Sequence, residues 1–159
     1  MKVEESIIIN RSPEAVFAFL ADREHDSVWM ASVVESEWLK PDAGDTDSPT
    51  TVGRRGRMVM KNMGRRLKYV DEVTDYEPGR RIAHKTVEGP IKLNTACLTE
   101  PAGNGCRATV VAETDSFVGG SLGKVANPIV ARIVGRGFRA DLTKLKGILE
   151  AESGPATNE

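Results

Sequence analysis

Two periodicities divide this 159-residue chain. Val3 to Ile9 is apolar enough for an opening strand. Ser12-Pro13-Glu14 then reads as a helix start, with serine as cap, proline at the first position and an acid in the first turn. Val16, Phe17 and Leu20 give that short helix its buried stripe, which fades by Asp22. A second short helical turn is predicted over Asp26 to Met30, followed by a strand at Val33–Lys40 whose alternation separates Val34, Ser36 and Trp38 from Glu35 and Glu37. Pro41 to Thr51 has the composition of an exposed loop.

From Gly53 the pattern has period two. Gly56, Met58 and Met60 share one face of a strand, and Arg55, Arg57 and Lys61 the other. Further strands are predicted at Arg66–Tyr76, Arg81–Glu88, Ile91–Glu100 and Arg107–Phe117. Pro78-Gly79 and the 101–105 loop supply turns, so the set is an antiparallel meander. Gly119 to Gly123 reads as a flexible link, with a partial helical turn before Asn127 left open, and Asn127-Pro128 as the start of the main helix. There Val130, Val134, Phe138, Leu142, Leu145 and Leu149 form one apolar stripe, which Ile129 and Ile133 widen in the N-terminal half. Gly135 and Gly137 inside it each cost roughly 1 kcal/mol against alanine. Ser153 to Glu159 is a polar tail, leaving one domain over residues 1–152.

Charge changes the picture in one region. Lys+Arg number 22 against 23 Asp+Glu, a net charge of −1, yet the bases concentrate between residues 53 and 92. Arg54, Arg55, Arg57, Lys61, Arg65, Arg66 and Lys68 suit an acidic partner, or the outer face of a sheet in which acidic strands lie beside basic ones. Nucleic acid is not expected, because no surface aromatics interleave these bases. No apolar run is long enough to span a membrane, and the first eleven residues do not read as a signal peptide; a cytoplasmic address is the expectation. Cys97 and Cys106 are not expected to form a disulfide, and two histidines with two cysteines make no ordinary zinc cage. No phosphate-binding loop, dinucleotide fingerprint or nucleophile elbow occurs, so no cofactor is expected.

Ile9-x-x-Ser12-Pro13-Glu14-x-Val16-Phe17 with Asp22 and Trp29 resembles the opening of the SRPBCC superfamily, the START-like and birch-pollen-allergen-like proteins. Val52-Gly53, Glu77-Pro78-Gly79-Arg80-Arg81, Leu98-Thr99-Glu100-Pro101 with Gly105, and Leu142-x-x-Leu145-Lys146-x-x-Leu149-Glu150 follow in the same order. The resemblance is to the polyketide cyclase/dehydrase branch and covers about residues 3 to 152. It implies an α+β helix-grip fold: a seven-stranded curved antiparallel sheet around a helix from about Pro128 to Glu152, with two short helices between strands one and two. Members bind lipids, sterols, polyketides or other hydrophobic small molecules; some are cyclases or dehydratases and others catalyse nothing. The resemblance carries no universal catalytic residue.

Three functions are therefore carried forward: a binding or carrier protein for an apolar small molecule, a cyclase or dehydratase working in the same cavity, and an interaction module built on the basic strands 53–68. A homodimer is left open. Small residues at Ala108, Val110 and Ala112, with Gly56, Gly135 and Gly137, suggest room for a chamber lined by Trp38, Met58, Met60, Tyr69, His84, Val110, Ala112, Ile129, Ile133 and Phe138. The same small residues also suit a helix and sheet packed closely together. His84 shares a strand face with Ile82 and Thr86 and is the weak catalytic candidate, as general acid/base or hydrogen-bond donor; the alternative is a histidine bonded at the sheet edge. Tyr69 and Asn94 each offer one hydrogen bond or sit on the surface, and Cys97 reads as a small buried hydrophobe.

Overall fold

The computed structural model describes residues 1–41, 52–115 and 123–152. Seven strands, β1 (Lys2–Ile9), β2 (Val33–Trp38), β3 (Arg55–Asn62), β4 (Arg65–Glu77), β5 (Arg81–Glu88), β6 (Asn94–Ala102) and β7 (Gly105–Glu113), form one antiparallel sheet in the order β1-β7-β6-β5-β4-β3-β2. Between β1 and β2 lie α1 (Pro13–Ala21), a 3₁₀ turn (Arg23–His25) and α2 (Asp26–Trp29), and α3 (Gly123–Glu152) closes the fold. This is the helix-grip architecture that the sequence motifs imply.

The local chemistry works as the sequence suggests at most boundaries. Ser12 Oγ accepts the Ala15 N–H at 3.2 Å and caps α1, with Pro13 in its first turn. Gly79 takes φ +72° after Pro78, as a type II turn demands. Four details differ. The irregular register between Val33 and Glu35 turns Val33 inward (4% exposed) and leaves Val34 39% exposed, reversing the alternation expected there. The hairpin between β6 and β7 is tight, with Ala102 pairing Gly105, because both strands continue into the predicted loop. Helix α3 begins at Gly123 and carries Pro128 inside it, so Asn127-Pro128 is not its cap; there the proline forfeits one intrahelical N–H bond and its ring crowds the carbonyl four residues earlier. β7 ends at Glu113; the predicted strand end at Phe117, most of the 41–51 loop and 119–123 link, and the 153–159 tail lie outside the described residues.

The core joins α1 and α3 to the inner face of the sheet. Ile9, Cys106, Ala108 and Val110 from β1 and β7 pack with Val16, Leu20, Trp29, Leu142, Leu145 and Leu149. Ala108, fully buried, is what allows α1 and α3 to settle this close to β7. Gly135 has a similar reason: a Cβ there would meet the Glu5 carboxylate at 3.1 Å and Val3 at 3.7 Å, so its cost in the helix permits contact with β1. Glu5 in turn takes a bidentate ion pair from Arg139 Nη2 at 2.8 and 2.9 Å. Nothing in the structure explains Gly137.

The outer face resolves the charge pattern. Arg55 pairs Glu72 at 3.2 Å, Arg57 pairs Glu37 at 2.8 Å, Arg66 pairs Glu35, and Lys85 reaches Glu72 at 3.2 Å. Three of these join neighbouring strands and Arg66–Glu35 reaches across β3; each is worth little individually but together they cancel much of the basic stripe.

Leu145 is fully buried in the main cluster. Leu145→Ala is expected to lower unfolding free energy by about 2–5 kcal/mol, read by chemical denaturation; a change within experimental error would mean that α3 does not anchor the fold.

Candidate ligand-binding site

Strand register lays out the inner surface in rows. Trp38, Gly56 and Asp71 stand side by side on β2, β3 and β4; Ser36, Met58 and Tyr69 form the next row, and Met60 with Leu67 the one after. Into the first row comes Arg23 from the 3₁₀ turn, only 4% exposed. Its guanidinium lies on the bare backbone of Gly56, where any Cβ would overlap its Nε, Cζ and Cδ atoms. The room that Gly56 promises in the sequence is therefore filled by an arginine.

Two polar partners hold that arginine, and a third stands behind one of them. Its Nη2 pairs the Asp71 carboxylate, and its Nη1 reaches Ser36 Oγ at 3.5 Å, the limit of a hydrogen bond. Ser36 Oγ donates in turn to Asp26 Oδ2 at 2.8 Å. The guanidinium carbon stands 4.9 Å from the Trp38 ring centre, and that of Arg54 stands 5.5 Å from it. The Arg23 Nε and Trp38 Nε1 atoms are buried and have no hydrogen-bond partner among the described residues.

Two carboxylates, Asp26 and Asp71, share the surroundings of this guanidinium, and burial perturbs both. Burial pushes Asp26 up to about 6, against the opposing pull of Arg23 and the Ser36 hydrogen bond. Asp71 is also raised by burial, and Arg23 counteracts it. His84 lies on the central strand β5, inside the sheet, opposite Val73 and Thr95, with its ring centre 6.5 Å from that of Trp38. Burial, reinforced by the charge of Arg23, depresses it to about 3, so the ring is neutral at ordinary pH. Cys97 is pushed up to about 12 by burial and then by Asp26, an inert thiol. Among the described residues no three His, Cys, Asp or Glu side chains are grouped to hold a metal ion.

An apolar surface adjoins this polar floor. Met58, Met60 and Leu67 are half-buried and Tyr69 is buried, all on the concave face. Helix α3 makes its extensive backbone contacts with β1 and α2 and none of that extent with β3 or β4, the strands that carry these side chains. On the other side of Trp38 a solvent-open groove of about 680 Å³ runs between α1 and the β4–β5 turn. Phe17, Trp38 and Tyr76 are its aromatic lining, and Glu14, Asp22 and Glu24 stand along it.

The model of one family, described as polyketide cyclase / dehydrase and lipid transport, matches residues 1–150. The chain belongs to that family. Similar solved structures include a protein of Thermus thermophilus (18% identity, TM-score 0.77, covering 97% of this chain and 100% of that one). Two others are the Zhui aromatase/cyclase of a Streptomyces strain, R1128 (17% identity, TM-score 0.75, 100% and 99%), and a START superfamily protein of Mycobacterium smegmatis (16% identity, TM-score 0.75, 96% and 99%). A search of curated proteins finds no sequence match.

For this polyketide cyclase/dehydrase family member, the inner face brings together Trp38, Met58, Met60, Tyr69, His84, Val110 and Ala112. Val110 and Phe138 pack into the core cluster with Leu142 and Leu145. Ile129 and Ile133 are 59% and 62% exposed. Each sits one residue, roughly 100° of helix rotation, from the stripe it was expected to widen, so both stand outside the packed interior. His84 is not at the sheet edge, and Asn94 is exposed at the start of β6, on the alternate face from Thr95. Arg23, Asp26, Ser36 and Asp71 are absent from the candidates drawn from sequence. Ser36 and Asp71 left a readable signal, since each falls on the apolar parity of its strand, between Val34 and Trp38 and between Tyr69 and Val73. Arg23 and Asp26 sit in turns too short to show any period.

The two shifted groups make opposing contributions to pH dependence. Folded Asp26 keeps its proton up to about 6 while the unfolded carboxyl releases it near 3.8, so its contribution falls as pH rises through that window. Unfolded His84 takes a proton near 6.5 and the folded ring refuses it down to about 3, so its contribution falls as pH drops. Across the overlap they offset each other, at up to about 1.4 kcal/mol per pH unit each. Asp26→Asn is expected to lose more stability than the parent on acidification from pH 6 to 4, and His84→Gln to lose less. Urea denaturation across that window checks both signs; parallel curves for all three proteins would refute the placement of both groups.

Proposed function

We propose that this chain binds a hydrophobic small molecule in the concavity between the sheet and α3, against Met58, Met60, Leu67 and Tyr69. The observation that carries the reading is the pairing of a half-buried apolar wall, beyond the extensive contacts of α3, with a buried polar floor. Methionine suits such a wall because its thioether repacks around guests of different shape. The family description includes lipid transport, which agrees with an apolar guest. Trp38 and Arg23 each retain a buried N–H with no partner among the described residues, and a guest bearing one oxygen acceptor would match them better than a pure hydrocarbon.

A second reading draws on Asp26. A carboxyl that titrates at about 6 beside an apolar concavity has the poise of a general acid or base, and the likeness to an aromatase/cyclase gives that chemistry a context. His84, held neutral, supports the same reading as a hydrogen-bonding group. The branches separate on substitution: in an enzyme, Asp26→Asn abolishes turnover while ligand affinity persists, whereas in a carrier no turnover exists to lose.

Binding is tested with a hydrophobic fluorescent probe. Met60→Lys places a charge on the wall at a half-buried position, so probe affinity is expected to fall about tenfold or more, with the melting temperature nearly unchanged. Equal probe binding by the parent and the Met60→Lys protein would place the guest elsewhere and end this reading.

A further inference from the structure

The two isoleucines that left the interior have company. The β3–β4 turn, Met63-Gly64, has positive φ at both residues (49° and 78°), and Met63 is 97% exposed there. A non-glycine residue with positive φ is uncommon, and a long apolar one at a hairpin tip is more so. Register puts this turn at the same end of the sheet as Glu88, Asn94, Glu113 and Lys2. Helix α3 runs in the same direction as β1: Arg132 shares a cleft with Lys2, Gly135 faces Val3, Arg139 pairs Glu5, and Lys146 bonds the Ile8 carbonyl. Its N-terminal half, with Ile129 and Ile133 one turn apart, therefore lies at that end too.

The charge at this end is one-sided on both elements. Residues 123–140 include Lys124, Arg132, Arg136 and Arg139 and no acid, and residues 61–66 include Lys61, Arg65 and Arg66 and no acid, in a chain of net charge −1. Glu5 and Glu35 neutralise Arg139 and Arg66. Arg132, Arg136, Lys61 and Arg65 are exposed and make no ion pair among the described residues. Of the acids at this end, Glu113 faces Lys2 at 3.9 Å and Glu88 is exposed at the end of β5. Met60 and Leu67 lead from the turn into the apolar concavity.

We infer that this end of the molecule docks on an anionic lipid surface, with Met63, Ile129 and Ile133 entering the interfacial region and Arg132, Arg136, Lys61 and Arg65 engaging the headgroups. Apolar side chains carried on a protruding turn and a helix face, each flanked by unpaired bases, fit a deformable anionic interface better than the flat continuous patch that a protein partner covers. The chain lies on the bilayer and does not span it: no described helix is long and apolar enough to cross. The inference rests in part on the proposed apolar guest, since it sets the mouth of the concavity against the phase in which such a guest dissolves.

Cosedimentation with vesicles tests it, using phosphatidylcholine alone and phosphatidylcholine mixed with phosphatidylglycerol. The parent protein is expected to bind the mixed vesicles about tenfold or more tightly than the neutral ones, and to weaken as salt rises. Ile129→Glu with Ile133→Glu, and separately Met63→Glu, should each reduce binding to the mixed vesicles severalfold, as should Arg132→Glu with Arg136→Glu. All these positions are exposed, and unchanged circular dichroism melting curves show that each variant is folded. Failure of the folded parent to bind either vesicle overturns the inference and leaves a protein partner for this face; binding that survives the isoleucine and methionine substitutions overturns it as well. The vesicles contain no probe, so probe uptake without vesicle binding removes this inference alone, and vesicle binding without probe uptake removes only the proposed ligand site.

Discussion

The Arg23 guanidinium, set down on a strand that lacks a side chain, is the contact on which the inner end of the grip depends. A buried guanidinium is tolerable only when its charge and its hydrogen-bonding groups are answered. Gly56 makes the space, Asp71 supplies the charge, Ser36 relays to Asp26, and Trp38 covers the plane. These residues come from the 3₁₀ turn, α2 and three successive strands, so one ionic contact ties the α1–α2 connection to the far half of the sheet. Such an arrangement adds little net stability over a hydrophobic equivalent, yet removing one member strands the others, typically at about 3–5 kcal/mol. Its effect is to fix position: α2 and β2 to β4 are held in one relative placement.

That fixed placement divides the concave face into two unlike regions. Under α1 and the C-terminal half of α3, leucines and alanines fill the space to the density of an ordinary core. Across the arginine, methionines, Leu67 and Tyr69 line the surface without extensive helix contact. The boundary is polar, and it carries the perturbed groups: a carboxyl whose proton affinity is raised, a histidine that refuses a proton, and a thiol kept inert. The low dielectric that makes the packed region stable is the same condition that displaces these equilibria.

Most of the architecture was legible in the residues, and the reasons are local. Period-two alternation marks β3 to β7, Ser12-Pro13 caps α1, and the Leu142, Leu145, Leu149 spacing reveals the buried face of α3. Errors fell where one local signal was read alone. Asn127-Pro128 resembles a helix start, although the helix already runs through it from Gly123. Val34 looked inward until an irregularity in the β2–β3 ladder shifted the parity. The apolar wall at Met58, Met60 and Tyr69 followed from the same alternation. The polar floor did not, because its members meet only through tertiary structure: Arg23 and Asp71 are 48 residues apart. Gly56 was legible as unoccupied volume, but nothing in the chain said what would occupy it.

The strand order has a consequence for how the chain reaches this state. β1, made first, pairs only with β7, and the helix that packs along it is made last. During synthesis the opening strand therefore waits, with its hydrogen-bonding edge unanswered, until nearly the whole domain has emerged. The meander from β2 to β7 can zip up from neighbouring hairpins, but closure around α1 is a long-range event with a large loop entropy to overcome. Slow completion would expose Ile7, Ile8 and Ile9 to other chains, and the acids Glu4 and Glu5 earlier in that strand are well placed to discourage such pairing.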